Sequence, residues 1–347
     1  MIWLTWRQAR TQTLVVAALL AAFGVLLLVS GPHLVSLYRE STLATCHREC
    51  AGAAGNFLDS LGANGFYHQV YLLGAVLLIL LPVVIGLFWG APLIARELES
   101  GTFRLAWNQT VTRERWLAVK LGALGLASMA LAGLFSLILG WWASPIDKAA
   151  ALGGAAGIET RFFPVLFGAR GVAPIGYAAL AFVLGVLIGL IVRRTVPAMA
   201  ITVAVIAVVQ IAFPLLVRPH LVTPVRSVSA VTAASLQGLS ADANNQQLQS
   251  VFVNTATAAG AWVISSNVTT ASGSASLGTV PQACQPSGGR GPQACFTALA
   301  QRHYKSVITY DPANRYWTFQ WLEFGIYLTV ALLLAWACFW WTRRRLG

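Results

Sequence analysis

Acidic side chains are scarce: the 347 residues hold 11 aspartates and glutamates against 23 lysines and arginines, and charged residues of either sign make up only 10% of the chain. Recognisable chemistry is scarcer still. No stretch reads G-x-x-x-x-G-K-[ST], H-E-x-x-H or G-x-S-x-G, which removes the phosphate loop of nucleotide hydrolases, the zinc-protease helix and the hydrolase nucleophile elbow. The five histidines, His33, His47, His68, His220 and His303, are scattered and form no cluster with metal-ligand spacing. No repeat of fixed solenoid-type period is present.

Apolar residues are what the chain has in excess. They make up 57% of it, beyond the roughly 45–50% usual for soluble domains, and the mean hydropathy is +0.69. This is the composition of a membrane protein. The formal charge of +12 is then read as the lysine and arginine bias of cytoplasmic loops, with no nucleic-acid partner.

A bilayer core demands spans of about 20 apolar residues. Six segments qualify: Leu14–Val35, Val70–Ile94, Leu117–Trp142, Pro174–Val192, Val196–Val217 and Phe319–Trp341. No aspartate lies in any of them, so the paired intramembrane acids of an aspartyl enzyme are missing. Pro82, Pro197 and Pro214 fall in or near span ends and suggest kinks that neighbouring helices can satisfy. The first span exceeds the 7–15-residue apolar core of a signal peptide, with no clear cleavage site behind it, and is expected to stay as an anchor. Before it, Trp3, Trp6, Arg7 and Arg10 recur at helical spacing, which suits an interfacial amino-terminal helix or an ordinary basic lead-in.

Basic residues orient the spans. One side collects Arg7 and Arg10, then Arg96, Arg104, Arg113, Arg115 and Lys120, then Arg193 and Arg194, then Arg343, Arg344 and Arg345, twelve in all; the other collects Arg39, Arg48, Lys148, Arg161 and Arg170, five. The richer side faces the cytoplasm, which puts both termini there, in a multi-pass protein of the cell membrane.

The expected fold is all-α and polytopic: six transmembrane helices, an interfacial amino-terminal helix, and a small α+β external domain before the last span. Residues 1–217 would hold the first five spans, 218–318 the external domain, and 319–347 the last span and basic tail. Within the external segment, "SVFVNTAT" and "AWVISSNVTT" read as strands and "CFTALAQRHYKSVITY" as helix-like. Four of five cysteines, Cys46, Cys50, Cys284 and Cys295, fall on the external side, and Cys338 in the last span. An even external set points to disulfides, with Cys284–Cys295 and Cys46–Cys50 as the local pairs. Three pairings are open, and free thiols or a four-thiolate zinc site are the alternatives.

Two smaller signals stand apart. Glu323 is the one acid close to the apolar run of a span, and it is expected to reach water or pair with a nearby arginine such as Arg315. Gly86-x-x-x-Gly90 and Gly185-x-x-x-Gly189 allow close helix approach, either within the chain or between two copies.

The stretch between the second and third spans, "ARELESGTFRLAWNQTVTRERW", is longer than the roughly 2–8 residues that antiparallel helices need. Glu97 and Glu99 precede a Gly101-Thr102 pause, and Thr112 is placed to cap a following turn. Mixed charges around Leu105, Ala106 and Trp107 give a docking surface with an apolar centre and polar rim; a solvated loop is the plainer alternative. This stretch, with the "WLTWRQAR" start and "YDPANRYWTFQWLEFGIYL" leading into the last span, resembles the membrane subunits of type-2 ATP-binding-cassette exporters, in particular actinobacterial-type permeases.

The resemblance implies a permease without its own ATPase motif. It would pair with a second permease subunit, usually identical or similar, and with two separate ATPase subunits that carry the ATP and magnesium, leaving this chain with no cofactor. Glu97, Glu99, Gly101, Thr102, Arg104 and Arg113 would then form the ATPase-coupling segment, as mechanical residues. An amphiphilic or lipid-like cargo suits span faces rich in Leu, Val, Phe and Trp. The competing class is a membrane-anchored receptor or assembly scaffold whose external domain binds a ligand or partner.

Overall fold

The computed structural model describes residues 2–46, 50–62, 65–101, 112–152, 161–242, 247–253, 260–274, 276–285 and 291–345. It separates into two units: Met1–Val222 together with Tyr316–Gly347, and Thr223–Arg315.

The first unit is a helical bundle. Helix α1 (Ile2–Glu40) runs without a break from the amino-terminal segment through the first span. Helix α2 (Ala51–Leu61) follows. The second span is compound: α3 (Phe66–Ile85), a π-helical turn (Gly86–Gly90) and α4 (Ala91–Ser100). The third span is α5 (Arg113–Ala150), which opens as expected at Thr112, whose hydroxyl accepts the Arg115 N–H at 3.3 Å. A short helix α6 (Pro164–Gly168) precedes the fourth span, α7 (Ala173–Val192). The fifth is α8 (Thr195–Ala212), prolonged by a π turn (Phe213–Val217) and a 3-10 turn (Arg218–His220). After an interval holding α9 (Gly291–Ala300) and five strands, the chain returns as α10 (Tyr316–Arg345). Among the described residues, six helices are long and apolar enough to cross a membrane.

Side-chain size decides which helix is central. Ala173, Gly176, Ala178, Ala179, Ala181, Gly185 and Gly189 make α7 a thin rod that neighbours approach from several sides, and α7 is mostly buried where the fifth span is mostly exposed. The two glycine pairs meet here. A Cβ on Gly185 would sit 2.6 Å from the Gly86 carbonyl oxygen and 2.8 Å from the Ala91 nitrogen, and one on Gly189 2.5 Å from the Ala91 carbonyl oxygen. Both motifs are therefore used inside one chain, fastening the π turn of the second span to the fourth. Gly185→Leu should overpack this crossing, at a cost of about 1–3 kcal/mol or more because the obstacle is backbone. Size-exclusion profiles in detergent after stepwise heating check it, with loss of the monodisperse peak at lower temperature than for the unaltered protein.

A separate contact, with the fifth span, lies beside Pro82. A proline inside a helix disturbs the carbonyls of the preceding turn, and the Gln210 side chain on α8 donates to the Ile79 oxygen at 2.9 Å. The proline leaves the Leu78 carbonyl without its helical donor, and a neighbouring helix bonds the carbonyl next to it.

The second unit is a small α+β assembly. Strands β1 (Val225–Ala230), β4 (Trp262–Thr269) and β5 (Lys305–Asp311) form an antiparallel sheet in the order β1-β5-β4, while β2 (Leu236–Ala241) and β3 (Leu248–Val253) pair separately. The expected helix-like "CFTALAQRHYKSVITY" divides instead into the end of α9 and all of β5 but Asp311. His303 takes a left-handed turn at φ 50° between them, and the alternation of exposed Lys305 with buried Ser306 and Ile308 has the period of a strand. Val231, Leu236, Leu248, Val251, Leu277, Leu299 and Tyr304 make the core, and the Tyr304 hydroxyl donates to the Leu277 carbonyl at 2.5 Å. Asp311 is buried and accepts from Arg315 at 3.0 Å; burial raises its carboxyl above the usual range, with Arg315 pulling the other way.

The cysteines pair locally. Cys46 and Cys50 are bonded across Cα atoms 5.8 Å apart, and Cys284 and Cys295 across 4.5 Å, the latter tying the turn at Gln282–Cys284 to α9. Cross-bridging between the two regions, free thiols at these four positions and a thiolate metal site are thereby set aside, and Cys338 stays a buried thiol. Closing the short loop from Cys284 should stabilise the second unit by about 2–4 kcal/mol. Mass spectrometry of unreduced peptides should recover both local pairs, and the Cys284→Ala/Cys295→Ala protein should unfold earlier in urea.

Candidate functional site

Two groups of charged side chains occupy opposite ends of the bundle. The first lies where α4 and α5 approach the segment between them. Helix α4 stops at Gly101, whose φ of +71° is left-handed and suits the glycine there. Residues 102–111 lie outside the described residues, and Thr102 and Arg104 with them. Of the six residues expected to couple to an ATPase, the structure describes Glu97, Glu99, Gly101 and Arg113.

Glu97 does not face outward. It is 7% exposed and accepts from Lys120 at 2.5 Å, with Lys120 itself buried over the Trp116 ring. Position explains the difference from a water-exposed docking residue: Ile94, Ala95 and Glu97 share the buried face of α4, and one helical spacing of three carries that face through the acid. Lys120 likewise belongs to the second turn of α5 and not to a loop. Two charges removed from water stabilise the site only as a pair, and either alone would be costly.

Glu99 behaves oppositely. It is exposed, and its Oε2 accepts both the backbone N–H of Thr195 at 2.9 Å and the Thr195 hydroxyl at 2.7 Å. A side chain of α4 thus serves the unpaired amide at the head of α8, where a carboxylate also complements the helix dipole. Arg113 is exposed at the start of α5. Beside it Glu114 pairs with Arg343 of α10 at 2.8 Å, and Thr112, Arg113, Phe339, Thr342 and Arg343 line a shallow cleft. The described residues that flank 102–111 are therefore tied to α5, α8 and α10.

The second group lies at the other end of α7. Glu323 is fully buried. It takes two hydrogen bonds from Arg218, Nε to Oε2 at 3.1 Å and Nη2 to Oε1 at 3.0 Å, and a third from the Tyr177 hydroxyl at 2.5 Å. The expected exit to water or to Arg315 is replaced by this pair, since Arg218 at the end of the fifth span is equally buried, stacked 4.1 Å over Phe167, while Arg315 serves Asp311. Arg218 reads in the sequence as the first residue beyond an apolar run, so nothing marked it as a membrane-depth partner. Close by, Arg170 pairs with Asp147 and lies 4.5 Å over Tyr71. Gln320 completes the layer: its oxygen accepts from the Val172 and Ala173 amides at the start of α7, and its nitrogen donates to the Phe167 carbonyl and the Tyr316 hydroxyl.

Neither group is built to react. The carboxylates at each end are closed by cations or amides, and among the described residues no three side chains of metal-ligating type gather. The pairs join parts of the bundle that lie far apart in sequence. A bundle in which six of the described helices are long and apolar enough to cross a membrane, with charged ties at both ends and a small α+β unit inserted before the last, defines a multi-pass membrane protein. Residues 17–218 match the family model described as "ABC-2 membrane transporter related", more than half of the chain, and the chain belongs to that family. Comparison with the curated proteins and with solved structures gives no match. Membership makes it the membrane subunit of a transporter, in a family that works with ATPase subunits.

Proposed function

We propose that the chain is the permease subunit of an ATP-binding-cassette exporter, in which two ATPase subunits hydrolyse ATP with magnesium and drive a pair of permease subunits, identical or similar. The observation that supports this best is the anchoring of the segment around residues 101–113: a helix ending in a left-handed glycine, fixed to the third span through Glu97 and to the fifth through Glu99, and followed by a capped helix that is tied to the sixth. A segment held so firmly at both ends can transmit a push delivered to its middle. Both termini lie in the cytoplasm on the count of basic residues, which places this segment where an ATPase can reach it.

The cargo is amphiphilic or lipid-like. Ile201, Val205, Val208 and Ile211 of α8, with Leu215 and Leu216 of the π turn beyond it, leave an apolar, exposed face, a wall suited to acyl chains and unsuited to a hydrated ion. ATP binding on the partners would move the coupling segment and, with it, the helices that border the route between two permeases.

The test is co-expression with an ATPase encoded beside this chain, followed by gentle purification and assay of ATP hydrolysis in lipid vesicles. Arg104→Glu/Arg113→Glu should reduce ATPase retention, because reversing charges on a docking surface costs several kcal/mol at a complementary interface. Unchanged retention and hydrolysis would return the segment to a solvated loop and favour the membrane-anchored receptor.

A further inference from the structure

We infer that Glu99 is a positioning residue that passes movement of the coupling segment to the fifth span by holding the head of α8; this rests on the exporter reading above. Three observations carry it. Glu99 lies on α4 yet both of its contacts are on Thr195, the first residue of α8. Behind that bond, Ala91 and Ala95 of α4 pack on Ala198 of α8 and Ile188 of α7 in a seam of small side chains, so the head of α8 rides on α4 without room to slide. Further along, α8 touches the bundle along one line, through buried Thr202 and Ile206 and the Gln210 bond to Ile79 of the second span, and the rest of its surface is exposed. A helix gripped at its head and seated on one side only follows a displacement of that grip.

The connection also explains why the chain keeps two carboxylates with opposite surroundings. Glu97 fixes α4 to the third span through a buried cation, whereas Glu99 fixes it to the fifth through neutral donors that remain in water. The buried link is structural. The exposed link can be broken without leaving an unpaired charge inside the bundle, and the backbone amide of Thr195 then has water as its partner. The short connection from α7, with Arg193 in a left-handed turn at φ 57° and Arg194 extended, leaves the head of α8 to be placed by Glu99.

The experiment uses the permease–ATPase complex in vesicles of phosphatidylethanolamine and phosphatidylglycerol, with an environment-sensitive fluorophore on Val208→Cys in the fifth span or on Leu126→Cys in the third; both positions are exposed. ATP with vanadate is the probe. The unaltered complex should respond at both labels. Glu99→Ala should lower the response at the fifth span by about fivefold or more, the size of a typical coupling between sites, while the third-span response, ATPase retention and thermal midpoint hold. Glu99→Gln, which keeps an oxygen to accept both hydrogens, should restore it, and Thr195→Ala should reproduce part of the loss from the other side of the bond. A fifth-span response that survives Glu99→Ala overturns the inference. So does an equal loss at both labels, which would mark a merely structural residue. If the unaltered complex retains no ATPase and neither label responds, the exporter reading itself falls and the inference falls with it.

Discussion

Replacing Glu323 with alanine is expected to cost about 3–5 kcal/mol, because it leaves the Arg218 guanidinium buried without its counter-charge. The pair is bidentate, both partners are inaccessible to solvent, and a third bond from Tyr177 completes the carboxylate. At this depth an isolated charge can neither reach water nor be ignored. The reverse deletion, Arg218→Met, should cost a similar amount, since Glu323 then lacks its cation. Removing both together with Arg218→Met/Glu323→Leu should recover most of the loss, for a buried pair replaced by apolar side chains of like volume is often neutral. The thermal midpoint in detergent, read by size exclusion after heating, measures all four proteins. Single and double variants of equal stability would show that the charges hold nothing together. A double variant that folds yet fails to support ATPase stimulation would give the pair a part in movement beyond its part in stability.

Much of this architecture could be read from composition. Spans announce themselves because a bilayer demands length and apolarity, two properties that sum over twenty residues and tolerate local noise. Their ends did not read as well. The second span was expected over Val70–Ile94 and the helical segment runs Phe66–Ser100, since apolar content stops at the membrane surface while helical hydrogen bonding continues past it. Thr112 was legible as a cap because its signal is local. The glycine pairs were visible as motifs, but their partner was not, because spacing along one helix says nothing of which other helix approaches it.

The charged ties were the least legible part. Glu97 and Lys120 are 23 positions apart, and Glu323 and Arg218 are 105; only the packing of separate helices brings them together. In each case one member had been noticed and assigned a neighbour in sequence or a place in water. The mixed case of "CFTALAQRHYKSVITY" failed for the opposite reason: its first half is helical and its second half alternates, and one label for the whole hid the turn at His303.

Reversal of Glu97 to lysine should be the most damaging single change at the coupling end. It sets a second cation against Lys120 in a site where both side chains are almost fully buried and the present separation is 2.5 Å. Loss of the pair alone is worth about 3–5 kcal/mol, and the added repulsion makes the cost larger. Membrane-inserted, monodisperse protein should become hard to recover. Glu99→Lys sits a little over half a turn further, on the exposed side of the same helix, and should leave yield nearly unchanged, which separates burial from charge as the cause. The decisive protein is Glu97→Lys/Lys120→Glu. It restores one anion and one cation at the same two positions, and yield and thermal midpoint should return most of the way toward the unaltered values. If the exchange folds no better than Glu97→Lys alone, the pairing is not what holds α4 against α5. If it folds and keeps its ATPase, then Glu97 fixes the coupling segment from behind and makes no direct contact with the partner, which leaves the stretch from Thr102 to Arg113 as the surface on which the ATPase is expected to act.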